Sequence, residues 1–167
     1  ASLLNHVKKI CEANGCERLI YTSSINVFEK QNVESGPLTL FNQQSPYAIA
    51  KSQGEVFVQQ NSANFCIIRP TNLFGKSQQS KNGTMGSSHV IPELLKKIDE
   101  NDIVEVFGDG SQKRNFIHVS DLCNFICRIL ETSERKYFNL RSDIQLSIAQ
   151  LANELLRHKN VSKPLQF

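Results

Sequence analysis

The sequence predicts an α/β protein organised on a parallel sheet. Two short apolar runs, Arg18-Leu19-Ile20-Tyr21-Thr22 and Phe65-Cys66-Ile67-Ile68-Arg69, lack polar alternation and read as strands buried on both faces, as parallel strands are. Between them lies the best-marked helix of the chain: Ser45 is a good N-cap, Pro46 suits the first helical position, and the helical pattern runs to about residue 60. Strand, helix and strand at this spacing make a βαβ unit. Ligands of such sheets bind beyond the carboxyl ends of the strands, which are here Ser23-Ser24 and Arg69-Pro70-Thr71-Asn72.

Taken in order, residues 2 to 14 place Leu3, Leu4, Val7, Ile10 and Cys11 on one helical stripe, closed by Gly15 as a left-handed cap. After the first strand, residues 25 to 44 turn polar around Gly36-Pro37 and read as a long loop. Lys76 to Ser88 is rich in Ser, Gln and Gly and reads as a loop or flap. Ile91, Leu94, Leu95 and Ile98 share one face of a helix over 91–100. Val104 to Phe107 reads as a strand, Gly108-Asp109-Gly110-Ser111 as a turn, and Asn115 to His118 as a second short strand. A helix follows over 119–130 with Leu122, Phe125, Ile126 and Ile129 inward, then a strand at Tyr137 to Leu140 and a helix capped by Ser147 that ends near His158.

Composition bounds the function. With 167 residues, 40% of them hydrophobic, the chain has the size and the apolar content of one globular domain. Its net charge of +3 is spread along the sequence, so no nucleic-acid or membrane partner is required. No apolar run reaches the length of a membrane span, and no signal-peptide pattern opens the chain. The five Cys include no Cys-x-x-Cys pair, which suits reduced thiols in a cytoplasmic protein, with Cys123 and Cys127 expected as small buried residues. The four His are dispersed, so no metal site is expected.

Tyr47 and Lys51 are four residues apart in the first turns of the capped helix, so phenol and ammonium can reach one small volume. A cation so placed favours a phenolate and brings a phenol from about 10 toward physiological pH, where it serves as an acid/base. The same spacing also occurs on ordinary exposed helices. Arg114 after Lys113 reads locally as a solvated pair, Asn72 as a turn residue, and Ser23 as structural.

Four stretches weigh on that choice: Tyr-Thr-Ser-Ser-Ile-Asn-Val-Phe (21–28), Ser-Pro-Tyr-Ala-Ile-Ala-Lys (45–51), Ile-Ile-Arg-Pro-Thr-Asn-Leu-Phe-Gly (67–75) and Val-Phe-Gly-Asp-Gly-Ser-Gln-Lys-Arg-Asn-Phe-Ile-His-Val-Ser-Asp-Leu (106–122). Together, in this order, they resemble the extended short-chain dehydrogenase/reductases, and most of all the NAD-dependent nucleotide-sugar epimerases and dehydratases of the UDP-glucose 4-epimerase type. The resemblance covers nearly the whole chain. It implies the C-terminal half of a Rossmann-like doubly wound parallel sheet, about residues 1–75 and 119–132, with part of a smaller α/β substrate lobe, about 76–118 and 133–167. It implies Ser24, Tyr47 and Lys51 as catalytic residues, with Ser24 on the sugar hydroxyl, Tyr47 taking its proton and Lys51 holding the nicotinamide ribose. Tyr47, Lys51 and Pro70 would meet the cofactor, NAD, with NADP left open. Ser24, Asn72, His89, Val90 and Arg114 would meet the nucleotide-sugar substrate, Arg114 through its diphosphate, which a planar guanidinium pairs bidentately. A homodimer of the full-length protein is left open.

Departures from the family pattern refine this. The two positions after the catalytic hydroxyl, which in the 4,6-dehydratases include the acid that expels water, are Ile25 and Asn26, so the sequence leans toward an epimerase or a 4-ketoreductase. Glu29 and Arg141 stand where Gly is common, and Asn115 where Asp is common. No glycine-rich turn able to cradle a pyrophosphate is present, the chain opens on Ala1, and it stops at Phe167 short of the rest of the substrate lobe. The expectation is a piece of a longer enzyme, inactive by itself. A reductase of the same family and a non-catalytic binding or scaffold module are the alternatives.

Overall fold

The computed structural model describes residues 2–28, 45–62, 64–76, 90–131 and 136–167. In chain order the elements are α1 (Ser2–Ala13), β1 (Leu19–Thr22), a 3₁₀ turn (Ile25–Phe28), α2 (Pro46–Asn61), β2 (Phe65–Pro70), β3 (Asn72–Phe74), α3 (Val90–Glu100), β4 (Val104–Glu105), β5 (Lys113–His118), α4 (Val119–Leu130), β6 (Lys136–Leu140), β7 (Gln145–Ser147), α5 (Ile148–Lys159) and β8 (Leu165–Gln166). None of the described helices is long and apolar enough to cross a membrane. The chain forms two compact units, Ala1–Leu73 with Ile117–Arg141, and Phe74–Phe116 with Ser142–Phe167.

The first unit is the parallel sheet β1-β2-β6, with Leu19 to Thr22 in register with Phe65 to Ile68, and Cys66 to Pro70 with Lys136 to Leu140. Every residue of β2 is buried because both faces are covered. Phe65 and Ile67 meet Val58 of α2 on one face, while Cys66 and Ile68 meet Leu122 and Ile129 of α4 on the other. Full burial of each Ile contributes roughly 1.5–3 kcal/mol.

Three expectations are corrected here. β6 was placed in the substrate lobe, yet it pairs with β2 as the third strand of the parallel sheet, because its inward residues Tyr137 and Phe138 complete the two apolar clusters. Cys123 and Cys127 are exposed, since Leu122, Phe125, Ile126 and Ile129 already fill the inward stripe of α4 and one residue further turns a side chain about 100° away. On α1, Leu4, Val7 and Cys11 are half-buried, whereas Leu3 and Ile10 at the margins of the predicted stripe are exposed.

The second unit packs α3 and α5 around Leu94, Ile98, Val104, Val106, Leu151 and Leu156. β4 pairs in parallel with β8, and β5 runs antiparallel to β7. Ser147 closes a capping box with Gln150 at the start of α5. The short strands β3, β7 and β8 were not anticipated, having too few residues to show a period.

Candidate active site

At the carboxyl end of β1, the Ser23 N–H donates to Ile68 O at 2.7 Å and extends the parallel ladder by one residue. The chain then turns. Ser24 O accepts from Val27 N–H at 3.2 Å and its Oγ accepts from Asn26 N–H at 3.2 Å, so the buried hydroxyl caps the 3₁₀ turn. α2 starts as its sequence dictates, with Ser45 Oγ accepting from Ala48 N–H at 3.1 Å and Pro46 opening the first turn. Tyr47 therefore stands in the first turn, and at 52% exposure its phenol is open to a ligand.

One turn on, Lys51 Nζ donates to Thr22 O at 3.0 Å and lies 5.8 Å from the Tyr47 ring centroid and 5.6 Å from that of Tyr21. The ammonium thus ties the helix to the end of β1, from which the chain leads into Ser24. Pro70 is buried at the end of β2, and Thr71 N–H donates to Leu140 O at 2.9 Å. Asn72 is exposed and stands in β3, where a loop was expected. Ser23 Oγ and Asn139 Oδ1, at this same edge, are buried with no hydrogen-bond partner among the described residues.

Sequence reasoning missed what holds this edge in place. Glu55 and Arg69 are both fully buried, and Arg69 Nε and Nη2 donate to the two Glu55 carboxylate oxygens at 2.9 and 2.6 Å. The guanidinium carbon also lies 4.6 Å from the Phe28 ring centroid and 5.2 Å from that of Tyr137. One side chain thereby joins the end of the 3₁₀ turn, α2, β2 and β6. Signals for it existed: Glu55 continues the four-residue spacing of Tyr47 and Lys51, and an Arg inside a strand buried on both faces demands a counter-charge.

Tyr21 packs against the same helix, its Oη donating to Lys51 O at 3.4 Å, and a Cβ on Gly54 would overlap the phenol. Burial, followed by the charges of Glu55 and Tyr47, pushes the Tyr21 phenol above its ordinary value.

In the second unit, Val90, Lys97, Phe107, Gln112 and Arg114 line a pocket of ≈ 210 Å³. Arg114 Nη2 donates to Gln112 Oε1 at 3.3 Å. Phe107 is 85% exposed, with the Lys97 ammonium 4.4 Å from its ring centroid. The turn between Phe107 and Gln112 needs glycine at Gly108 (φ +73°) and Gly110 (φ +69°), and Asp109 stiffens it by accepting from Ser111 N–H at 3.0 Å. Those Ser111 bonds hold the Asp109 carboxyl below its ordinary value.

Asn115 accepts from Ser142 N–H at 2.7 Å through Oδ1 and donates through Nδ2 to Ser142 O and Ile144 O. Only an amide can do both, so Asn is required in this arrangement where Asp is common. The pocket brings Val90 and Arg114 together. His89 lies outside the described residues, as does Glu29. Arg141 is exposed beyond the end of β6.

A parallel sheet with Tyr and Lys one turn apart beyond its carboxyl edge defines a Rossmann-like domain of the short-chain dehydrogenase/reductase kind. The chain belongs to the NAD dependent epimerase/dehydratase family, whose sequence pattern matches residues 2–140. It is 34% identical over 114 residues to dTDP-4-dehydro-6-deoxy-D-allose reductase of Streptomyces bikiniensis, covering 66% of this chain and 34% of that one. It is 30% identical over 162 residues to GDP-L-fucose synthase of Sinorhizobium fredii, covering 86% and 50%. Among solved structures, UDP-N-acetylglucosamine 4-epimerase from Methanobrevibacter ruminantium superposes with a TM-score of 0.80 at 21% identity, over 97% of this chain and 53% of that one. The chain thus spans from about a third to just over half of the length of these relatives.

Proposed function

We propose that this chain carries the proton-transfer site of an NAD-dependent nucleotide-sugar epimerase, with Tyr47 as the acid/base. The observation that carries this is the placement of Lys51, facing the Tyr47 ring and bonded to Thr22 O two residues before Ser24. The residues present fit the nicotinamide end of the cofactor: an ammonium for ribose hydroxyls, a phenol open to solvent, and the buried, unsatisfied Ser23 Oγ and Asn139 Oδ1 at the same edge. Tyr47, Lys51 and Pro70 would hold that end. NAD, when bound, supplies the hydride acceptor and donor.

The protein's part follows from its own groups. Ser24 hydrogen-bonds the hydroxyl at C4 of the sugar, and Tyr47 Oη takes its proton as that carbon becomes a ketone. Tyr47 enters that step as the anion, and Lys51 places positive charge beside it. After the 4-keto sugar turns over, Tyr47 returns the proton to the inverted alcohol. Asn72 contacts the sugar, and the second unit takes the nucleotide, with Arg114 on its diphosphate and Val90 and His89 nearby. In this reading the first unit is the cofactor part, the second the substrate lobe, and the setting cytoplasmic, a reading that rests on the lack of a Cys-x-x-Cys pair in the sequence.

Ile25 and Asn26 after Ser24 supply no acid to expel water, which weighs against dehydration. The likeness to a 4-keto-sugar reductase favours a second reading, reduction of a nucleotide-linked ketone by the same Ser24, Tyr47 and Lys51. Incubation of the full-length protein with NAD and candidate nucleotide-sugars separates the two. An epimerase interconverts 4-epimers with no net NADH, a reductase consumes reduced cofactor in step with ketone, and neither signal with any nucleotide-sugar overturns the proposal.

A further inference from the structure

At the opposite end of β1 from the candidate active site, α1 closes in a complete Schellman motif. Cys16 N–H donates to Cys11 O at 2.9 Å and Gly15 N–H donates to Glu12 O at 3.5 Å, with Gly15 at φ +61°. Such a motif brings together the two side chains that flank its long hydrogen bond, and an apolar pair usually fills those positions. Here both are cysteines. Cys11 is half-buried and Cys16 exposed, and both line one pocket. A backbone hydrogen bond between the two residues also keeps their Cα atoms within the roughly 4.4–6.8 Å that a disulfide spans.

We propose that Cys11 and Cys16 form a redox-responsive dithiol, oxidised to an intramolecular disulfide by a low-molecular-weight disulfide such as oxidised glutathione. The exposed Cys16, at the rim of a ≈ 220 Å³ pocket that Cys11 also lines, is the point of entry. Its thiolate attacks one sulfur of the small disulfide, forms a mixed disulfide and expels a first thiolate. Cys11, deprotonated in turn, attacks Cys16 Sγ and expels the second. Two protein thiols are oxidised, one small disulfide is reduced to two thiols, and the two protons pass to the leaving sulfurs. Desolvation first, then the neighbouring Cys16 and Glu12, hold the Cys11 thiol above its ordinary value, which leaves the first attack to Cys16. The closed bridge staples the end of α1 to the segment that enters β1.

Both cysteines fall in one tryptic peptide, residues 10–18, so mass spectrometry reads the outcome directly. Full-length protein is equilibrated with reduced and oxidised glutathione, native and in urea. The expected native product is a peptide lighter by two hydrogens and free of glutathione, formed roughly tenfold or more faster than in urea because the fold sets the effective concentration. Cys11→Ser should trap one glutathione on Cys16, and Cys16→Ser should leave Cys11 largely unmodified. Overturning results are a peptide that stays reduced, or carries glutathione on each cysteine, while Cys123 and Cys127 react, or closure as fast in urea as in the native protein.

Discussion

In the first unit, Tyr47 and Lys51 stand two turns and one turn ahead of a carboxylate that no solvent reaches, and that carboxylate grips a guanidinium set between two aromatic rings. In the second unit, Phe107 and Arg114 flank a glycine-dependent turn and line a pocket. Both regions carry candidate functional residues, yet they are built to different tolerances. Proton transfer demands atoms placed to within a fraction of an ångström, and a buried two-point ion pair holds the register of helix on strand. Recognition of a flexible ligand tolerates side chains that adjust, provided the turn beneath them is stiff. Asp109 and Asn115 stiffen that turn and its flank by hydrogen bonds alone.

That contrast can be broken by substitution. The largest effect is expected at Glu55: Glu55→Leu leaves Arg69 buried and unpaired and should cost about 3–5 kcal/mol, read as a lower denaturation midpoint. Adding Arg69→Met should recover most of it. If the single change costs little, the ion pair does not set the register. Gly54→Ala should cost roughly 1–3 kcal/mol by overpacking against Tyr21, again in the denaturation midpoint. In the second unit, Asn115→Asp sets a carboxylate against two carbonyl oxygens and should cost about 1–3 kcal/mol; Asn115→Ala, which removes all three bonds, serves as its control.

The smallest effect is a pH dependence. Because the Tyr21 phenol is raised in the fold, the native state keeps its proton where the unfolded chain has lost it. Its contribution is fully present below about pH 10 and is lost as pH rises through the native ionisation. Tyr21→Phe should flatten the alkaline fall in stability measured by urea titration, and an unchanged slope would count against the buried environment assigned to that ring.

What the sequence made legible was local. Ser45, Pro46 and the four-residue spacing of Tyr47 and Lys51 are properties of one helix, so the start of α2 and the meeting of phenol and ammonium could be read from neighbours in the chain. Gly15 and the inward stripe of α4 were legible for the same reason. The Glu55–Arg69 pair was missed because its two halves are 14 residues apart on different elements, and only tertiary packing unites them. The membership of β6 was misread because a strand's sheet is chosen by its partner, not by its own residues. Cys123 and Cys127 were misplaced because residue type was allowed to outweigh the angular position that α4 had already fixed.

The central claim is that chemistry resides in the first unit and nucleotide recognition in the second. Steady-state kinetics of the full-length protein with its nucleotide-sugar, comparing Tyr47→Phe with Arg114→Ala, test it most directly. The account predicts that Tyr47→Phe lowers kcat by roughly 10²–10⁴ with little change in KM, whereas Arg114→Ala raises KM by about tenfold or more and largely spares kcat. Tyr47→Phe with near-normal kcat, or Arg114→Ala acting on kcat alone, would contradict it.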